Sequence, residues 1–461
     1  MLHLYNTESR TIEPIVPLIP GKIGMYCCGP TVYQRAHIGN LRAYVMEDVL
    51  RRTLEQIEGF EVKYVMNITD VGHLVSDEDD GEDKIEKRSR ETGKGALEIA
   101  REFESIFFQD LERIRVQKPS VTPRATERIA EQIDLIKVLE EKGFTYRTSD
   151  GIYFDTSKFP TYGRLSGQSL EEKQEGARVV VNQEKKNASD FALWKFSPAD
   201  QQRQMEWESP WGKGFPGWHI ECSAMSRTEL GQPFDIHCGG VDHIPVHHEN
   251  EIAQSEAAYG APYVKHWTHV EFLMVDGQKM SKSLNNAFTL DDLAMRGISP
   301  MAYRLFLLGA QYRSKQNFTW EAANGAQNAY DRLCRTVRGW EKPSGDGIAA
   351  IEEAFCAAIE KDLNTPEALS VLWKLIDGDF TTQDKATSLL FIDRVLGLGL
   401  VDIVAKPVEI PDEIKEIADR RWQARKNGDW DAADQLRQEL AGNGWKMLDG
   451  KDGYQLEQIS S

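Results

Sequence analysis

A chain of 461 residues exceeds what one hydrophobic core organises, so about two to four domains are expected. Its 41% hydrophobic and 28% charged residues are ordinary globular usage, and no apolar run is long enough to span a membrane. The net charge of -18 excludes a generally basic nucleic-acid coat, and six cysteines are too few for a disulfide scaffold. Cysteines in a reducing compartment instead bind metal or do chemistry. The opening Met1 to Asn6 lacks the basic and apolar regions of a signal peptide, so cytoplasmic residence is the expectation.

In chain order, Ile23 to Gly29 reads as a short buried strand, with Pro30 in the turn after it. A helix is predicted from about Asn40 to Ile57, where Val45, Val49, Thr53, Leu54 and Ile57 recur at helical spacing and Gly59 supplies a stop. Val62 to Ile68 reads as a second strand, and strand, helix, strand implies a parallel sheet with a right-handed crossover. The acidic run Asp77 to Asp83 reads as a solvated loop. Helical spacing recurs over Lys94 to Val116 and Arg124 to Glu141, followed by a strand at Gly151 to Asp155. This middle part, Gln117 to Asp200, has the look of an insertion. The parallel pattern resumes with a strand at Phe234 to His237, a helix from about His247, and a strand within His269 to Val275. Beyond Ser299 the chain is mostly amphipathic helix, with candidate linkers at Lys342 to Gly347 and Lys406 to Pro411. A basic, aromatic helix pair at Ile414 to Ala441 precedes a tail carrying Trp445 and Tyr454, while Cys334 and Cys356 fall in helical sequence and read as packing residues.

His37-Ile38-Gly39-Asn40 lies between the first strand and its helix, where helix amides and a glycine let phosphate oxygens approach the backbone. Alone, it reads equally as a polar turn that caps a helix. Lys279-Met280-Ser281-Lys282-Ser283 follows a later strand, and its two lysines suit a triphosphate on a moving loop. The pair resembles the HIGH and KMSKS signatures of class I aminoacyl-tRNA synthetases, and Gly239-Gly240-Val241-Asp242 is similar to that class's ribose-binding segment. The resemblance implies ATP contacts from His37, Gly39, Asn40, Gly240, Asp242, Lys279, Ser281 and Lys282, with His37, Asn40, Lys279 and Lys282 as catalytic groups. Asn40 departs from the usual histidine and cannot carry a positive charge, although it still donates hydrogen bonds.

Cys28 ends the first strand, Cys222 lies in Gly217 to Met225, and His247 and Glu251 stand four apart on a predicted helix, sharing one face. Two thiolates, an imidazole and a carboxylate suit tetrahedral zinc. A zinc-peptidase reading from His248 fails because Ile252 stands where the second histidine would be needed. Residue types alone leave a closed structural zinc open as an alternative. Cys27 is expected on the opposite strand face from Cys28, and Cys238 to be a packing residue.

MYCCGPTVY from Met25, NITD from Asn67, GWHIECSAM from Gly217, FDIH from Phe234, HHENE from His247 and KMSKS from Lys279 together resemble the cysteinyl-tRNA synthetase family, over a match from Leu4 almost to the tail. The resemblance implies one zinc per chain on Cys28, Cys222, His247 and Glu251, binding the substrate thiolate directly. It further implies a cysteine pocket lined by Gly29, Thr31, Thr69, Trp218 and His237, with Mg2+ accompanying ATP. Zinc can separate cysteine from serine without an editing site, because an alcohol is a far poorer ligand than a thiolate.

The fold expected is α/β: a split Rossmann-like parallel-sheet catalytic domain at 1–116 and 201–298, with a connective insertion at 117–200. An all-α stem-contact region and helical bundle at 299–405 and a small C-terminal anticodon-binding domain at 406–461 follow. Partners would be tRNA(Cys), ATP and L-cysteine, with no membrane, and the expected state is a monomer. Trp430, Asp434 and Asp449 are anticodon candidates by resemblance, near Arg420, Arg421, Arg425 and Lys426; Trp430 reads equally as a core residue of an amphipathic helix. Two rivals use the same residues: a ligase joining cysteine to an amino sugar, which lacks the C-terminal region, and a non-catalytic zinc protein that binds RNA.

Overall fold

A computed structural model describes residues 1–72, 83–168, 183–198, 203–280, 284, 286–406, 410–450 and 453–458. Its centre is a four-stranded parallel sheet in the order Val264–Val270, Phe234–Gly240, Lys22–Cys27, Glu61–Met66. Side chains alternate cleanly across it. Ile23, Met25 and Cys27 enter one core, together with Val62, Tyr64, Met66, Ile236 and Cys238, while Tyr26, Cys28, Val65 and Phe234 enter the other. The first core is covered by helix Ile38–Gln56 through Leu41, Val45 and Val49; the second is covered by helices Trp218–Leu230 and His247–Tyr259. The chain steps from Lys22–Cys27 outward to Glu61–Met66, and later from Phe234–Gly240 outward the other way. The middle pair is therefore a topological switch point, and a crevice opens at its carboxyl ends.

Several boundaries differ from the sequence expectation. The first helix starts at Ile38 rather than Asn40, because His37 caps it. His269 to Val275 is not one strand. Val264–Val270 pairs with Phe234–Gly240, whereas Leu273–Val275 joins a separate sheet with Gln278–Lys279 and Gln316–Phe318. The buried Arg42 guanidinium explains the break: it gathers the carbonyls of Glu271 and Phe272 at 2.7 Å each, and those of Gln311 and Ser314, so the backbone turns there. The first insertion helix covers only Ile129–Glu141, since the preceding segment lies along the central sheet, bridging Val121 to Val65 and Arg124 to Ile68. Likewise Ala96–Arg113 is preceded by a separate helix, Lys84–Thr92, that ends at Gly93 in the left-handed region, φ 73°. Asp77 to Glu82 of the acidic run lies outside the described residues.

The middle part is an antiparallel sheet of Thr145–Arg147, Gly151–Phe154, Phe191–Phe196 and Gly214–Pro216, whose last strand falls beyond residue 200. Five helices from Pro300 to Leu396 (Pro300–Leu308, Trp320–Arg338, Ala349–Ile359, Thr365–Asp377, Thr382–Leu396) share the core of helix Ile38–Gln56. Helices Asp412–Lys426 and Trp430–Gly442 close on a hairpin, Trp445–Asp449 with Tyr454–Gln458, around a separate small core that includes Ile414, Leu436, Leu440, Trp445 and Met447. Among the described residues, no helix is long and apolar enough to cross a membrane.

Candidate functional site

A cleft of about 460 Å³ occupies the switch-point crevice, with Cys28, Thr31, His37, Asp242, Trp218 and Lys279 among its walls. At one end the His37 side chain caps helix Ile38–Gln56: its Nδ1 accepts the Asn40 N–H at 3.2 Å, and Asn40 Oδ1 accepts the His37 N–H at 3.1 Å. This reciprocal cap gives Asn40 a structural role that the sequence did not disclose. With Nδ1 accepting, Nε2 is the His37 nitrogen able to donate into the cleft. A Cβ on Gly39 would lie 2.7 Å from Cε of Met280, so the two signature segments meet at the cleft. Lys279 projects over the Phe272 ring, 4.4 Å from its centre. Gly240 and Asp242 also line the cleft. Ser281 and Lys282 lie outside the described residues.

At the other end, Cys28, Cys222, His247 and Glu251 bring one ligand atom each within 4.8 Å of one another, all buried. Helical spacing sets His247 Nε2 3.0 Å from Glu251 Oε1. Tetrahedral zinc spaces nitrogen and oxygen ligands by about 3.3 Å, so the donor set and its spacing fit that ion. A second quartet shares Cys28 and Glu251 but adds His237 and His248. Cys222 and His247 face the cleft; His237 and His248 are not among its lining residues. The hydrogen bond with Cys28, aided by His247, draws the Cys222 thiol down to about 6, while burial pushes Cys28 up. Burial opposes charge on His247, yet Glu251 and Cys222 together raise it to about 10. Cys27 behaves as alternation requires, buried on the other face beside its strand partner Cys238.

Around these four lies a shell of which the sequence singled out only Trp218 and His237, and those as lining of the cysteine pocket. Glu251 Oε2 accepts from Tyr263 Oη at 2.8 Å and lies 3.0 Å from His237 Nε2. His247 stacks on Trp218, ring centres 4.2 Å apart, and its Nδ1 is 2.9 Å from Nδ1 of His219. Burial and the neighbouring imidazoles hold His248 well below its ordinary value, and His269 likewise. These partners come from distant elements, and only the density of histidines between His237 and His269 signals them.

Of the expected cysteine-pocket residues, Gly29, Thr31, Thr69 and Trp218 line the cleft. Thr31 and Thr69 form a parallel bridge, and a Cβ on Gly29 would lie 1.7 Å from the Asn67 carbonyl oxygen, so only glycine fits there. His237 is instead fully buried beneath the cleft floor. Far from the cleft, Trp430 is 61% exposed at the start of its helix, which removes the core reading, and Asp434 is exposed one turn on. Asp449 is engaged by Arg421 at 2.7 Å and by Arg425.

The comparisons agree with this arrangement. A family model for the class I (C) tRNA synthetase catalytic domain matches residues 14–328. Cysteine--tRNA ligase 1 of Burkholderia lata is 50% identical over 99% of this chain and 96% of its own length. The Cysteine--tRNA ligase of a Thermus thermophilus strain is 41% identical over 98% of each. Among solved structures, the methionyl-tRNA synthetase of Mycobacterium tuberculosis bound by methionyl-adenylate superposes with TM-score 0.56 at 14% identity, over 83% of this chain and 93% of that one. A LeuRS of Agrobacterium radiobacter in a ternary complex with tRNA gives 0.57 at 12%, over 86% and 88%. At such identities these structures speak to the fold, which is that of a class I synthetase. Motifs, sheet order and relatives of nearly equal length lead to one assignment: the chain belongs to the cysteine–tRNA ligase family of class I aminoacyl-tRNA synthetases.

Proposed function

We propose that this protein activates L-cysteine with ATP and transfers it to the terminal adenosine of tRNA(Cys), selecting the amino acid at a zinc ion held by Cys28, Cys222, His247 and Glu251. The observation that carries this reading is the convergence of those four donors beside a cleft that Cys28, Cys222 and His247 line together with His37 and Lys279. Zinc, when bound, supplies a soft centre that takes a thiolate in preference to a hydroxyl.

The chain's own residues supply the rest. Thr31, Thr69 and Trp218 shape the space in which the amino acid lies, and no protein nucleophile is needed. The substrate carboxylate attacks the α-phosphorus of ATP, which enters with Mg2+, and pyrophosphate leaves. His37 Nε2, the amides at the start of helix Ile38–Gln56 and the Lys279 ammonium offset charge on the phosphates; Lys282 joins them by its place in the signature. Asn40 fixes the His37 backbone through its carboxamide oxygen, so the missing positive charge is partly replaced by order. For tRNA, we assign residues 299–405 to stem contact and 406–461 to the anticodon. Exposed Trp430 is the stacking candidate, with Asp434 beside it, whereas Asp449 acts through Arg421 and Arg425.

Cysteine-dependent ATP–pyrophosphate exchange, with and without chelator and followed by charging of tRNA(Cys), tests the reading. Absence of exchange in zinc-loaded protein would overturn it, and exchange without transfer would point to the amino-sugar ligase. Cys222→Ser is expected to weaken cysteine binding by at least about tenfold while the fold survives. A change in stability alone would mean a closed structural zinc.

A further inference from the structure

The geometry points to a one-way hydrogen-bond relay, Thr7 to His269 to His248 to Cys28, that delivers an N–H to the Cys28 sulfur and so sets how strongly the centre takes a thiol. The inference rests on the zinc reading above. Cys28 Sγ lies 3.3 Å from His248 Nε2; His248 Nδ1 lies 2.8 Å from His269 Nε2; and His269 Nδ1 lies 2.7 Å from the Thr7 hydroxyl.

With both buried imidazoles neutral, one polarity satisfies every atom. A metal-ligating Cys28 is a thiolate and accepts only, so His248 Nε2 must carry the proton. The neutral ring then has its lone pair at Nδ1, which requires His269 to donate from Nε2. His269 in turn accepts at Nδ1, from the Thr7 hydroxyl. Burial disfavours a second proton on either ring, and the reverse polarity would set a lone pair against the thiolate.

The chain of donors is held rigidly. His248 and His269 are buried, and the Trp267 ring packs against both, its centre 4.9 Å from His248 and 6.0 Å from a nearly parallel His269. Thr7 is pinned by its own N–H to the Trp267 carbonyl at 2.9 Å. Gly239 admits the rings, since a Cβ there would stand 2.6 Å from His248 Cε1. An N–H held on a ligand sulfur withdraws electron density and fixes its orientation, which leaves the metal more receptive to a further thiolate. Thr7, His248 and His269 are therefore positioning residues that act through Cys28.

The test uses the full-length protein loaded with cobalt(II), whose sulfur-to-metal charge-transfer band reports electron density on the ligand sulfurs. His269→Leu is expected to move the band to lower energy and weaken cysteine binding about tenfold, with ATP binding unaltered. His269→Gln, which returns an amide N–H to the relay, restores the band. Thr7→Val moves it the same way by less, and Thr7→Ser returns it to the parent position. An unmoved band in Thr7→Val and in His269→Leu, at full cobalt content, overturns the relay but leaves the metal site standing. If His269→Leu does not fold, an unmoved band in Thr7→Val decides against the relay by itself. A wild-type protein that takes up cobalt with no sulfur charge-transfer band overturns the relay and the zinc reading together.

Discussion

Gly239 shows how tightly a single position is set in this site. It is the last residue but one of strand Phe234–Gly240 and lines the cleft, and a Cβ there would stand 2.6 Å from His248 and 3.0 Å from His243. Gly239→Ala is expected to cost about 1–3 kcal/mol, read as a lower urea midpoint, and to reduce zinc content in metal analysis. Full zinc content with parental stability would show that the imidazoles move freely. The four-residue spacing of His247 and Glu251, and the strand alternation that separates Cys28 from Cys27, both appear as geometry. The ambiguity lay in His248, which is three residues from Glu251 and shares the same helix face, so spacing alone could not tell a ligand from a neighbour that donates to one. Asn40 was legible as a departure but not as a cap, because the acceptor it offers to His37 depends on where the helix begins.

At the level of elements, the residues that follow the lysine-bearing segment are held by contacts that link the two halves of the sheet domain. Arg35, beside the first signature, makes a bidentate pair with buried Asp110 at 2.6 and 2.7 Å and reaches Asp291, to which Arg113 also donates at 2.8 Å. Asp291 opens the helix Leu290–Ala294 just after the loop, and the Phe288 carbonyl accepts from Ile38 N–H at 2.7 Å. Since Asp291 is 52% exposed, solvent screens its pairs, whereas Asp110 holds Arg35 in place regardless. Asp291→Asn should therefore raise the KM for ATP by no more than about fivefold in pyrophosphate exchange, leave the KM for cysteine alone, and mimic the effect of added salt. An equal rise in both constants would argue against a nucleotide-side clasp. The sequence could not reveal this link, because Arg35, Asp110 and Asp291 are separated by long stretches of chain. Nor could it divide His269 to Val275, a mostly apolar stretch whose turn is imposed by Arg42 from another element. Helices and parallel strands with their own local periodicity were legible; breaks caused by tertiary contacts were not.

At the scale of the whole molecule, the five helices from Pro300 to Leu396 share a core with the sheet domain, while the C-terminal unit stands on a core of its own. The Arg304 guanidinium is fully buried between Asp48 at 2.6 Å and the carbonyls of Ile114 and Leu396, which ties helix Ile38–Gln56 to the helical region. The C-terminal hairpin is fastened differently, by Asp449 to Arg421 and Arg425, whose hydrogen bonds hold its carboxyl below the ordinary value. A depressed carboxylate contributes stability above its unfolded value of about 4, and that contribution is lost as pH falls through the lower folded value. Below about pH 4, fluorescence of Trp422 and Trp445 should accordingly report loosening of the hairpin before the rest of the chain unfolds, and Asp449→Asn should remove that early change. Separate cores also predict separable activities. A chain ending at Lys406 keeps both walls of the cleft and the whole of the larger core, so cysteine-dependent pyrophosphate exchange should stay within about twofold of the full protein, a shift of only a few tenths of a kcal/mol. It loses Trp430 and the basic helix around it, so kcat/KM for charging tRNA(Cys) should fall by at least about tenfold, the loss expected from one base stack. Unchanged charging by the shortened chain would remove the C-terminal unit from tRNA recognition, and lost exchange would show that its core is not independent of the catalytic body.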